Sequence, residues 1–600
     1  MNQINGTLPD LSIFSSLKKL YLDRNKLNRE IPKDIKFPPQ LERLEMQSNS
    51  LKGVLTKYHF ANMSKLMSLE LSDNSLLTLT FSQNWVPPFQ LSYIGLRSCK
   101  LGPAFPKWLE TQNQFEDIDI SNAGIADMVP KWFWAKLATF REWISMNISY
   151  NNLHGIIPNI PLKNHYQSLI LGSNQFDGPI PPFLRYSLIL DLSKNKFSDS
   201  LSFLCVNGTV ETLYQLDLSH NHFFGKIPDC WSHFKSLSYL DLSHNNFSGK
   251  IPTSMGSLLD LQALLLRNNN LTDQIPFSLR SCTNLVMLDI AENKLSGLIP
   301  AWIGSELQEL QFLSLGRNNF HGSLPLKICY LSNIQLLDLS LNNMSGQIPK
   351  CIKNFTSMTQ KTSYKGHSYY VNTSRMSGNQ PYDLNAPFMW KGSEQMFKNH
   401  VLLLLKSIDL SSNHFSGEIP LEIENLFGLV SLNLSRNHLS GKIPSNIGKL
   451  ISLDSLDLSR NQLVGSIPSS LTQIDRLSVL DLSHNNLSGE IPTGIQLQSF
   501  NASCYEDNLD LCGPPLDKMC IDGKPAQEPI VKLPEDEKLL FTHEFYISMA
   551  IGFVISFWGV FGSILIKRST CLFQVHKQFI RCYLCHGSSE SFQVASQRIA

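Results

Sequence analysis

The chain has 600 residues, with 51 Lys and Arg against 50 Asp and Glu, so its formal net charge is only +1. This balance gives no basic surface of the kind that binds nucleic acid. The sequence also lacks the glycine-rich phosphate loops and metal-ligand helices of common enzymes. We therefore expect a protein that is not an enzyme, with no catalytic residue, no metal ligand and no cofactor.

One pattern, LxLxxNxL followed in most cases by xGxIP, recurs about every 24 residues from the first residues to Ile495. Its asparagine stands at Asn2, Asn25, Asn49, Asn74, Asn151, Asn174, Asn195, Asn221, Asn245, Asn269, Asn293, Asn318, Asn342, Asn413, Asn437, Asn461 and Asn485, and Cys99 and Ala123 hold the same phase. A fixed period of this length is the signature of leucine-rich repeats. It predicts an α/β solenoid, a curved right-handed superhelix with a parallel concave β-sheet.

The last full repeat shows the physical reason. Leu477, Leu480, Leu482 and Leu487 are spaced so that they point inward, while the residues between them point outward along a short strand. A single coil cannot bury these leucines, so neighbouring coils must stack, and each fully buried leucine contributes roughly 1.5–3 kcal/mol. We expect the phased Asn to turn inward and bond backbone groups where the strand ends. We expect Cys99 to be a small apolar substitute in the same position, and Ala123 to give up the bonds.

Composition and phase divide the chain into seven segments. They are repeats over 1–351, an insertion over 352–400, four further repeats over 401–498, a C-terminal cap over 499–524, an acidic stretch over 525–544, a transmembrane helix over 545–566 and a short cytoplasmic tail over 567–600.

The outward positions of each strand lie six, four, two and one residues before the phased Asn. In the early repeats these positions hold varied charged and aromatic residues, whereas later repeats place Asp regularly at the four-before position. The candidate ligand contacts on this face are Tyr21, Asp23, Arg24, Arg43, Glu45, Glu70, Asp73, Tyr93 and Arg97. The alternative is that such residues only keep the face soluble.

A second candidate surface is the insertion. The interval of 71 residues between Asn342 and Asn413 is nearly three periods, but the stretch shows no LxxLxL pattern that would indicate decayed repeats. Long loops are usually functional or disordered, and Tyr and Trp are residues that anchor interfaces. We expect a recognition loop rather than a passive one, with Tyr364, Tyr369, Tyr370 and Trp390 as contacts.

Cysteines and sequons predict an extracellular solenoid. Cys205 and Cys230 lie ten and nine residues after their phased Asn in successive coils, and Cys329 and Cys351 lie eleven and nine after theirs, within plausible disulfide reach. Free buried thiols are the alternative, which we favour for Cys99 and Cys282. Glycosylation is expected at Asn5, Asn62, Asn147, Asn207, Asn246, Asn270, Asn343, Asn354, Asn372, Asn433, Asn486 and Asn501.

The segment 545–566 is 22 uncharged residues long and as a helix would reach about 33 Å, against roughly 30 Å for the hydrocarbon core of a membrane. A buried core helix is the alternative. Acidic residues dominate before this segment and basic residues follow it, so the N-terminal side is extracellular and the tail cytoplasmic. Small residues on the helix are candidate contacts for a partner's helix, namely Ser548, Gly552, Ser556 and Gly559. The expected location is therefore the plasma membrane, as a single-pass type I protein.

The chain opens inside a repeat at Asn2 and shows no apolar, cleavable leader. A single C-terminal helix could hardly bring the preceding residues across a membrane. We therefore expect that a signal peptide and an N-terminal cap lie upstream of this sequence.

The runs Leu487–Pro492 and Phe415–Pro420 resemble the plant-specific leucine-rich repeat, and the wider layout is similar to plant receptor-like proteins, in particular the branch with receptors for fungal xylanase-type elicitors. The insertion, the acidic stretch, the membrane segment and the cap around Asn508 carry this resemblance. It implies a disulfide between Cys512 and Cys520. It also implies a cell-surface immune receptor without a kinase, which binds an extracellular protein or peptide and signals through an adaptor kinase and a co-receptor kinase.

Only 34 residues follow Ile566, too few for a kinase domain. Two alternative functions remain: a receptor for a developmental peptide, and an inhibitor of a microbial wall-degrading enzyme. The inhibitor would need no membrane helix.

Overall fold

The computed structural model describes residues 3–6, 8, 11–137, 145–160, 166–206, 210, 212–359, 386–390, 393–397 and 405–520. The chain divides into two units, Met1–Cys520 and Ile521–Ala600, and every described residue lies in the first. Within these ranges no helix is long and apolar enough to cross a membrane. The predicted membrane segment 545–566, with Ser548, Gly552, Ser556 and Gly559, and the tail 567–600 lie outside the described residues.

One long parallel sheet takes a strand from each successive coil, as the period predicts. Each strand pairs with the strand of the next coil in chain order. The strands are Lys19–Tyr21, Arg43–Glu45, Ser68–Glu70, Tyr93–Gly95, Asp117–Asp119, Ser145–Asn147, Tyr166–Ile170, Ser187–Asp191, Gln215–Asp217, Tyr239–Asp241, Ala263–Leu265, Met287–Asp289, Phe312–Ser314, Leu336–Asp338, Ser407–Asp409, Ser431–Asn433, Ser455–Asp457 and Val479–Asp481.

A second series of short parallel strands follows the phased Asn of most coils. It comprises Asn5–Gly6, Lys26–Leu27, Lys52–Leu55, Leu76–Leu79, His154–Ile156, Gln175–Gly178, Lys196–Phe197, Phe224–Lys226, Asn246–Gly249, Asn270–Asp273, Lys294–Leu298, Asn319–Ser323, Asn343–Gly346, His414–Glu418, His438–Gly441, Gln462–Gly465, Asn486–Glu490 and Asp510–Cys512.

Short helices, many of them preceded by the Pro of the repeat, return the chain to the long sheet. The 3-10 helices are Lys107–Thr111, Pro182–Tyr186, Ser202–Cys205, Trp231–His233, Thr253–Ser257, Phe277–Ser281, Leu326–Tyr330, Lys350–Asn354, Leu421–Asn425, Ile447–Lys449, Ser469–Gln473 and Ala502–Cys504. The α-helices are Lys131–Leu137, Trp302–Glu306, Thr356–Thr359 and Ile495–Ser499.

The core runs through the inside of the coils as one continuous apolar cluster. The middle residue of a sheet strand points into it, as Leu44, Leu240 and Leu456 do with no exposed surface. This arrangement confirms the predicted leucine-rich-repeat solenoid, in which stacking rather than a single deep centre buries the leucines.

The phased asparagines bond each coil to the one before it. Asn74 is typical: its Oδ1 accepts a hydrogen bond from the backbone N–H of Leu51 at 3.0 Å, and its Nδ2 donates to the carbonyls of Met46 at 3.0 Å and Leu71 at 2.8 Å. Such a side chain therefore satisfies backbone groups of two coils at once, and at Asn74 it does so where the bonded groups are buried from water.

Two positions lack the Asn, and they differ in what replaces it. The thiol of Cys99 donates to the carbonyl of Leu71 at 3.2 Å, so this coil keeps one bond. At Ala123, Oδ1 of Asn151 accepts from the backbone N–H groups of both Ala123 and Ile125, each at 3.0 Å. The neighbouring coil therefore supplies the acceptor for the backbone N–H groups at and after Ala123.

The series of phased Asn side chains that bond neighbouring coils continues for one repeat beyond the last one that the sequence pattern indicates. Asn508 accepts from the N–H of Leu487 at 3.0 Å and donates to the carbonyl of Leu482 at 3.0 Å. The predicted cap therefore begins with a further repeat-like turn.

The residue before each phased position, from Arg24 to Asp507, has a left-handed backbone conformation, with φ between +51° and +61°.

The structure contains disulfides Cys205–Cys230, Cys329–Cys351 and Cys512–Cys520, with Cα atoms 5.7, 5.7 and 5.0 Å apart. Among the described cysteines Cys99 and Cys282 are buried free thiols, and Cys504 is a half-buried one.

The insertion interrupts the sequence but not the sheet. Strand Leu336–Asp338 pairs directly with Ser407–Asp409. The described residues of the predicted insertion, 352–400, include the end of the 3-10 helix Lys350–Asn354, the α-helix Thr356–Thr359 and an antiparallel hairpin, Ala386–Trp390 with Ser393–Phe397. The two coils that flank the insertion therefore stack as ordinary neighbours.

Seven of the predicted glycosylation sites lie on exposed side chains, and Asn207 and Asn372 lie outside the described residues. The exposed ones are Asn5, Asn62, Asn246, Asn343, Asn354, Asn486 and Asn501. Asn147, Asn270 and Asn433 are half-buried. Asn433 also donates its Nδ2 to Asp409 at 3.3 Å, so a glycan there would replace a bond within the sheet.

Candidate functional site

The N-terminal part of the long sheet carries a depression of about 680 Å³ on its outward face. Five successive coils contribute side chains to it, because parallel strands in register bring equivalent positions side by side. It is lined by Arg43, Glu45, Gln47, Met67, Ser68, Glu70, Ser92, Tyr93, Glu116, Asp117 and Ser145. We call this surface the N-terminal depression.

Four of the predicted ligand contacts meet there: Arg43, Glu45, Glu70 and Tyr93. Arg43 and Tyr93 are exposed and Glu45 is half-buried. The other predicted contacts on this face lie outside the depression. Tyr21, Asp23 and Arg24 belong to the preceding coil, with Tyr21 52% exposed.

Glu70 is already engaged by the protein and is buried. Its Oε2 accepts from the hydroxyl of Tyr93 at 2.8 Å, and its Oε1 accepts from the backbone N–H of Ser72 at 2.8 Å. Its role is therefore to hold Tyr93 in place, rather than to present a free carboxylate. A Cβ at Gly95 would lie 2.1 Å from Oε2 of Glu70, so the neighbouring coil needs glycine to admit this carboxylate.

The depression is predominantly acidic. Arg43 faces four carboxylates, those of Glu45, Glu70, Glu116 and Asp117. Burial, and then the nearby charges of Asp119 and Glu70, raise the pKa of Asp117 to about 6. Burial also raises the pKa of Glu45, an effect that Arg43 partly opposes. A cation in the depression would therefore be favoured, since it would offset like charges held close together.

Arg97 and Asp73 form an ion pair further along the face. The guanidinium donates through Nε to Oδ1 of Asp73 at 3.0 Å and through Nη2 to Oδ2 at 2.6 Å. This bonding to Asp73 raises the pKa of Arg97. Both side chains are partly exposed, so the pair remains accessible beside the depression.

Sequence reasoning missed seven of the lining residues. Gln47, Ser68, Asp117 and Ser145 occupy the two-before and six-before positions, and continuing the same register through the Ala123 coil would have found them. Met67, Ser92 and Glu116 lie seven residues before their phased positions.

In the later coils the four-before Asp residues are structural. Oδ1 of Asp457 accepts from the backbone N–H of Ser459 at 3.0 Å and from its hydroxyl at 2.7 Å. The same backbone bond recurs at Asp191, Asp217, Asp241, Asp289, Asp338, Asp409 and Asp481. These carboxylates close the turn at the end of each strand.

The predicted contacts of the insertion are not placed by the structure. Tyr364, Tyr369 and Tyr370 lie outside the described residues, and Trp390 is described only as part of a strand backbone. Across the described ranges no group of three or more His, Cys, Asp or Glu is arranged to hold a metal ion.

The repeat pattern matches known leucine-rich-repeat families. One described as leucine rich repeat matches residues 211–271 and 427–487, and a related one matches 284–305 and 404–426. With the stacked coils and the inward Asn side chains, these matches show that the chain contains leucine-rich repeats.

Within that class the chain is similar to plant receptor-like proteins. It is 50% identical over 523 residues to receptor-like protein EIX2 of Solanum lycopersicum, a match that covers 86% of this chain and 50% of the relative. It is 48% identical over 533 residues to receptor-like protein EIX1 of the same species, again covering 86% of this chain and 50% of the relative. The chain thus spans about half the length of these curated relatives.

The fold is also similar to that of solved receptor ectodomains. The Arabidopsis receptor kinase HAESA, solved in complex with the peptide hormone IDA and the co-receptor SERK1, matches with a TM-score of 0.58 and 28% sequence identity. The match covers 87% of each chain. The sequence is thus similar to plant receptor-like proteins, and the fold is similar to that of a plant receptor kinase ectodomain.

Proposed function

We propose that this protein is a cell-surface receptor-like protein that binds an extracellular elicitor or peptide and, without a kinase of its own, signals through recruited receptor kinases in plant defence. The observation that carries the proposal is the N-terminal depression, in a chain half of whose aligned residues are identical to those of receptor-like protein EIX2. A solenoid offers an extended surface for binding. In this chain the outward charged and aromatic side chains differ most from coil to coil in the N-terminal repeats, where they line the depression.

The chemistry of the depression favours a protein or peptide ligand with a cationic group. The side chain of Tyr93, held by Glu70, supplies a rigid aromatic surface, and such residues anchor many interfaces. The carboxylates of Glu45, Glu116 and Asp117 surround it. Arg43 is the one cation among the lining residues, and it would select the orientation of an acidic neighbour on the ligand.

Two kinds of partner are proposed beyond the ligand. In the HAESA complex a peptide hormone and a co-receptor are bound together, and we propose an equivalent co-receptor kinase for this chain. An adaptor kinase would pair with the small-residue face Ser548, Gly552, Ser556 and Gly559 of the membrane segment. The aromatic residues Tyr364, Tyr369, Tyr370 and Trp390 of the insertion are proposed as further contacts.

The test is binding of a purified fungal xylanase-type elicitor to the full chain, expressed behind a secretory leader in leaf cells. Glu116→Lys combined with Tyr93→Ala should weaken binding at least about tenfold, because the first change adds a positive charge where a cationic ligand group is favoured and the second removes the aromatic anchor. Lys19→Glu is the control, because it also reverses the charge of an exposed side chain on this face but lies outside the depression. Equal binding by the double variant and the wild type would refute the depression as the contact surface.

A second candidate is a receptor for an endogenous developmental peptide, which the similarity to the HAESA ectodomain favours. In that case the xylanase would not bind, while the double variant would still lose its response to an endogenous peptide fraction. An inhibitor of a wall-degrading enzyme would instead suppress xylanase activity upon binding. Measuring xylanase turnover with and without the receptor separates these outcomes.

A further inference from the structure

In many coils the residue four before the phased position closes the turn at the end of the strand. Asp119 does so through Oδ1, which accepts from the backbone N–H of Ser121 at 3.0 Å and from its hydroxyl at 2.6 Å. In the next coil the same position holds Asn147, whose Oδ1 accepts from the backbone N–H of Ser149 at 3.1 Å and from its hydroxyl at 2.7 Å. An amide therefore replaces the carboxylate here and keeps the turn.

The amide of Asn147 differs from a carboxylate in its second atom. Both bonds to Ser149 use Oδ1, whereas an N-linked glycan is attached through Nδ2. Ser149 is also the third residue of the sequon Asn147-Ile148-Ser149, so the residue that fixes this side chain is the one that permits its modification. A glycan on Nδ2 is thus compatible with both bonds that close the turn.

The side chain of Asn147 lies on the outward face of the long sheet, beside the N-terminal depression. Its neighbours in sequence, Met146 and Ile148, are 0% exposed and belong to the interior core, so Asn147 points the other way. Ser145, on the same face of the same strand, lines the depression, and it comes from the last coil that contributes to the lining. Asn147 therefore lies at the C-terminal side of the depression.

We propose that Asn147 carries an N-linked glycan that forms the C-terminal wall of the N-terminal depression. Such a glycan is bulky and solvated, so it would limit how far a ligand extends along the sheet beyond Ser145. Asn147 itself adds no charge, which leaves the acidic character of the depression to residues such as Glu116 and Asp117.

One consequence rests on the proposed function. A ligand whose cationic group lies in the depression meets the glycan beyond Ser145, so the rest of the ligand extends over the N-terminal coils, toward Arg43 and Tyr21. The carboxylates alone attract a cation but do not set this direction. The wall therefore determines which way along the sheet the ligand lies.

The first test is the occupancy of Asn147 in the full chain, expressed behind a secretory leader in leaf cells. Enzymatic release of N-linked glycans in heavy-oxygen water converts each glycosylated Asn to a labelled Asp, which mass spectrometry locates in the sequence. Asn147 should be labelled in most molecules, whereas Asn152, which is not in a sequon, should not be. An unlabelled Asn147 would overturn the proposal.

The second test measures the wall without a ligand. Ser145→Cys places a thiol in the depression, and its reaction with a maleimide on a large polyethylene glycol chain is followed on the peptide that contains position 145. Adding Asn147→Asp, which can keep the turn bonds as Asp119 does, should speed this reaction at least about fivefold, because it removes a bulky group. Ser149→Ala removes the sequon but keeps Asn147, and should give the same gain.

Tyr21→Cys is the control for this test, because Tyr21 is 52% exposed on the same face but lies several coils away. Its labelling rate should not change with Asn147→Asp. Equal rates for Ser145→Cys with and without the sequon would overturn the wall. A gain with Asn147→Asp that Ser149→Ala does not reproduce would trace the effect to the substituted side chain, and would overturn it as well.

The third test moves the glycan one coil toward the ligand. Asp119→Asn creates a sequon at 119–121, beside Asp117, and should weaken binding of the fungal xylanase-type elicitor at least about tenfold by blocking its contacts. Adding Ser121→Ala, which removes the new sequon, should restore binding. Undiminished binding with position 119 glycosylated would overturn the inferred direction of the ligand. If the elicitor does not bind the wild type, the proposed function fails, whereas occupancy and labelling still decide the wall.

Discussion

The Oδ1 atom of Asn413 accepts a hydrogen bond from the backbone N–H of Met344 at 2.9 Å, although 69 residues of sequence separate them. The Nδ2 atom of Asn413 donates to the carbonyl of Leu339, also at 2.9 Å. These bonds join the coils on either side of the insertion. The side chain of Asn413 therefore reinforces the backbone pairing of the two coils that the insertion separates in sequence.

Asn413→Ala should therefore destabilise the junction between these coils. It leaves buried backbone groups unsatisfied, at a cost of about 1–3 kcal/mol. Amide exchange at Met344 should accelerate correspondingly. Asn25→Ala is the matched control, because Oδ1 of Asn25 accepts from Ile4 at an exposed site, where water can replace the bond. Equal effects from both variants would mean that burial does not determine how much a phased Asn contributes to the free energy of unfolding.

The Asn ladder and the sheet were predictable because both follow from the period. A side chain such as that of Leu44 points inward for the same reason at every repeat. Asn508 was missed because the leucines around it are replaced by cap residues such as Tyr505, although the spacing from Asn485 is preserved.

The repeat period does not predict how exposed an outward residue is. Arg43 and Met287 hold the same repeat position, yet one is exposed and the other is fully buried. The period also does not predict bonds between side chains of two neighbouring coils. The bond from Tyr93 to Glu70 joins a six-before position to a four-before position of the preceding coil, and the absence of a side chain at Gly95 makes room for it.

Asp117→Asn should change the pH dependence of stability. The pKa of Asp117 in the folded protein, about 6, lies above the ordinary aspartate value of 3.8, so the folded state holds this proton more tightly than the unfolded state. Its stabilising contribution is full below about pH 4 and is lost as the pH rises through about 6. Asn carries no charge, so the variant should gain stability over the wild type between pH 4 and 7, on the order of 1 kcal/mol because Asp117 is only half-buried.

Thermal midpoints of both proteins across this pH range measure the effect. Other buried carboxylates, including Asp241 and Asp409, titrate in the same direction, so the difference between variant and wild type is the informative quantity. A constant difference from pH 4 to 7 would show that Asp117 does not titrate in this range.

Gly95→Ala should disturb Glu70 in the N-terminal depression. The new Cβ would meet the carboxylate of Glu70, which must move away and release the hydroxyl of Tyr93, losing about 1 kcal/mol of unfolding free energy. Because the conflict requires the Glu70 side chain, the double variant with Glu70→Ala should be no less stable than Glu70→Ala alone. Additive losses in urea unfolding would contradict this mechanism.

Arg267 and Arg97 allow the strongest comparison, because both lie two residues before a phased position and both pair with carboxylates of a neighbouring coil. Arg267 is 1% exposed and donates to Asp289 at 2.8 Å, to Glu292 at 2.8 Å and to Ser314 at 3.0 Å. Removing one partner of a buried pair leaves the other charge without compensation, which costs about 3–5 kcal/mol. Arg267→Met should therefore lower the unfolding free energy by an amount in that range.

Arg97→Met removes the same guanidinium from a solvent-accessible pair with Asp73, where such pairs contribute about 0–1 kcal/mol. The two variants have the same chemistry and the same repeat position, so any difference between them measures the environment of the face. The double variant Arg267→Met with Asp289→Asn should recover part of the loss, because it removes the uncompensated carboxylate. Similar urea midpoints for Arg267→Met and Arg97→Met would show that the middle of the sheet is as open to water as its N-terminal end, and would contradict the burial of Arg267.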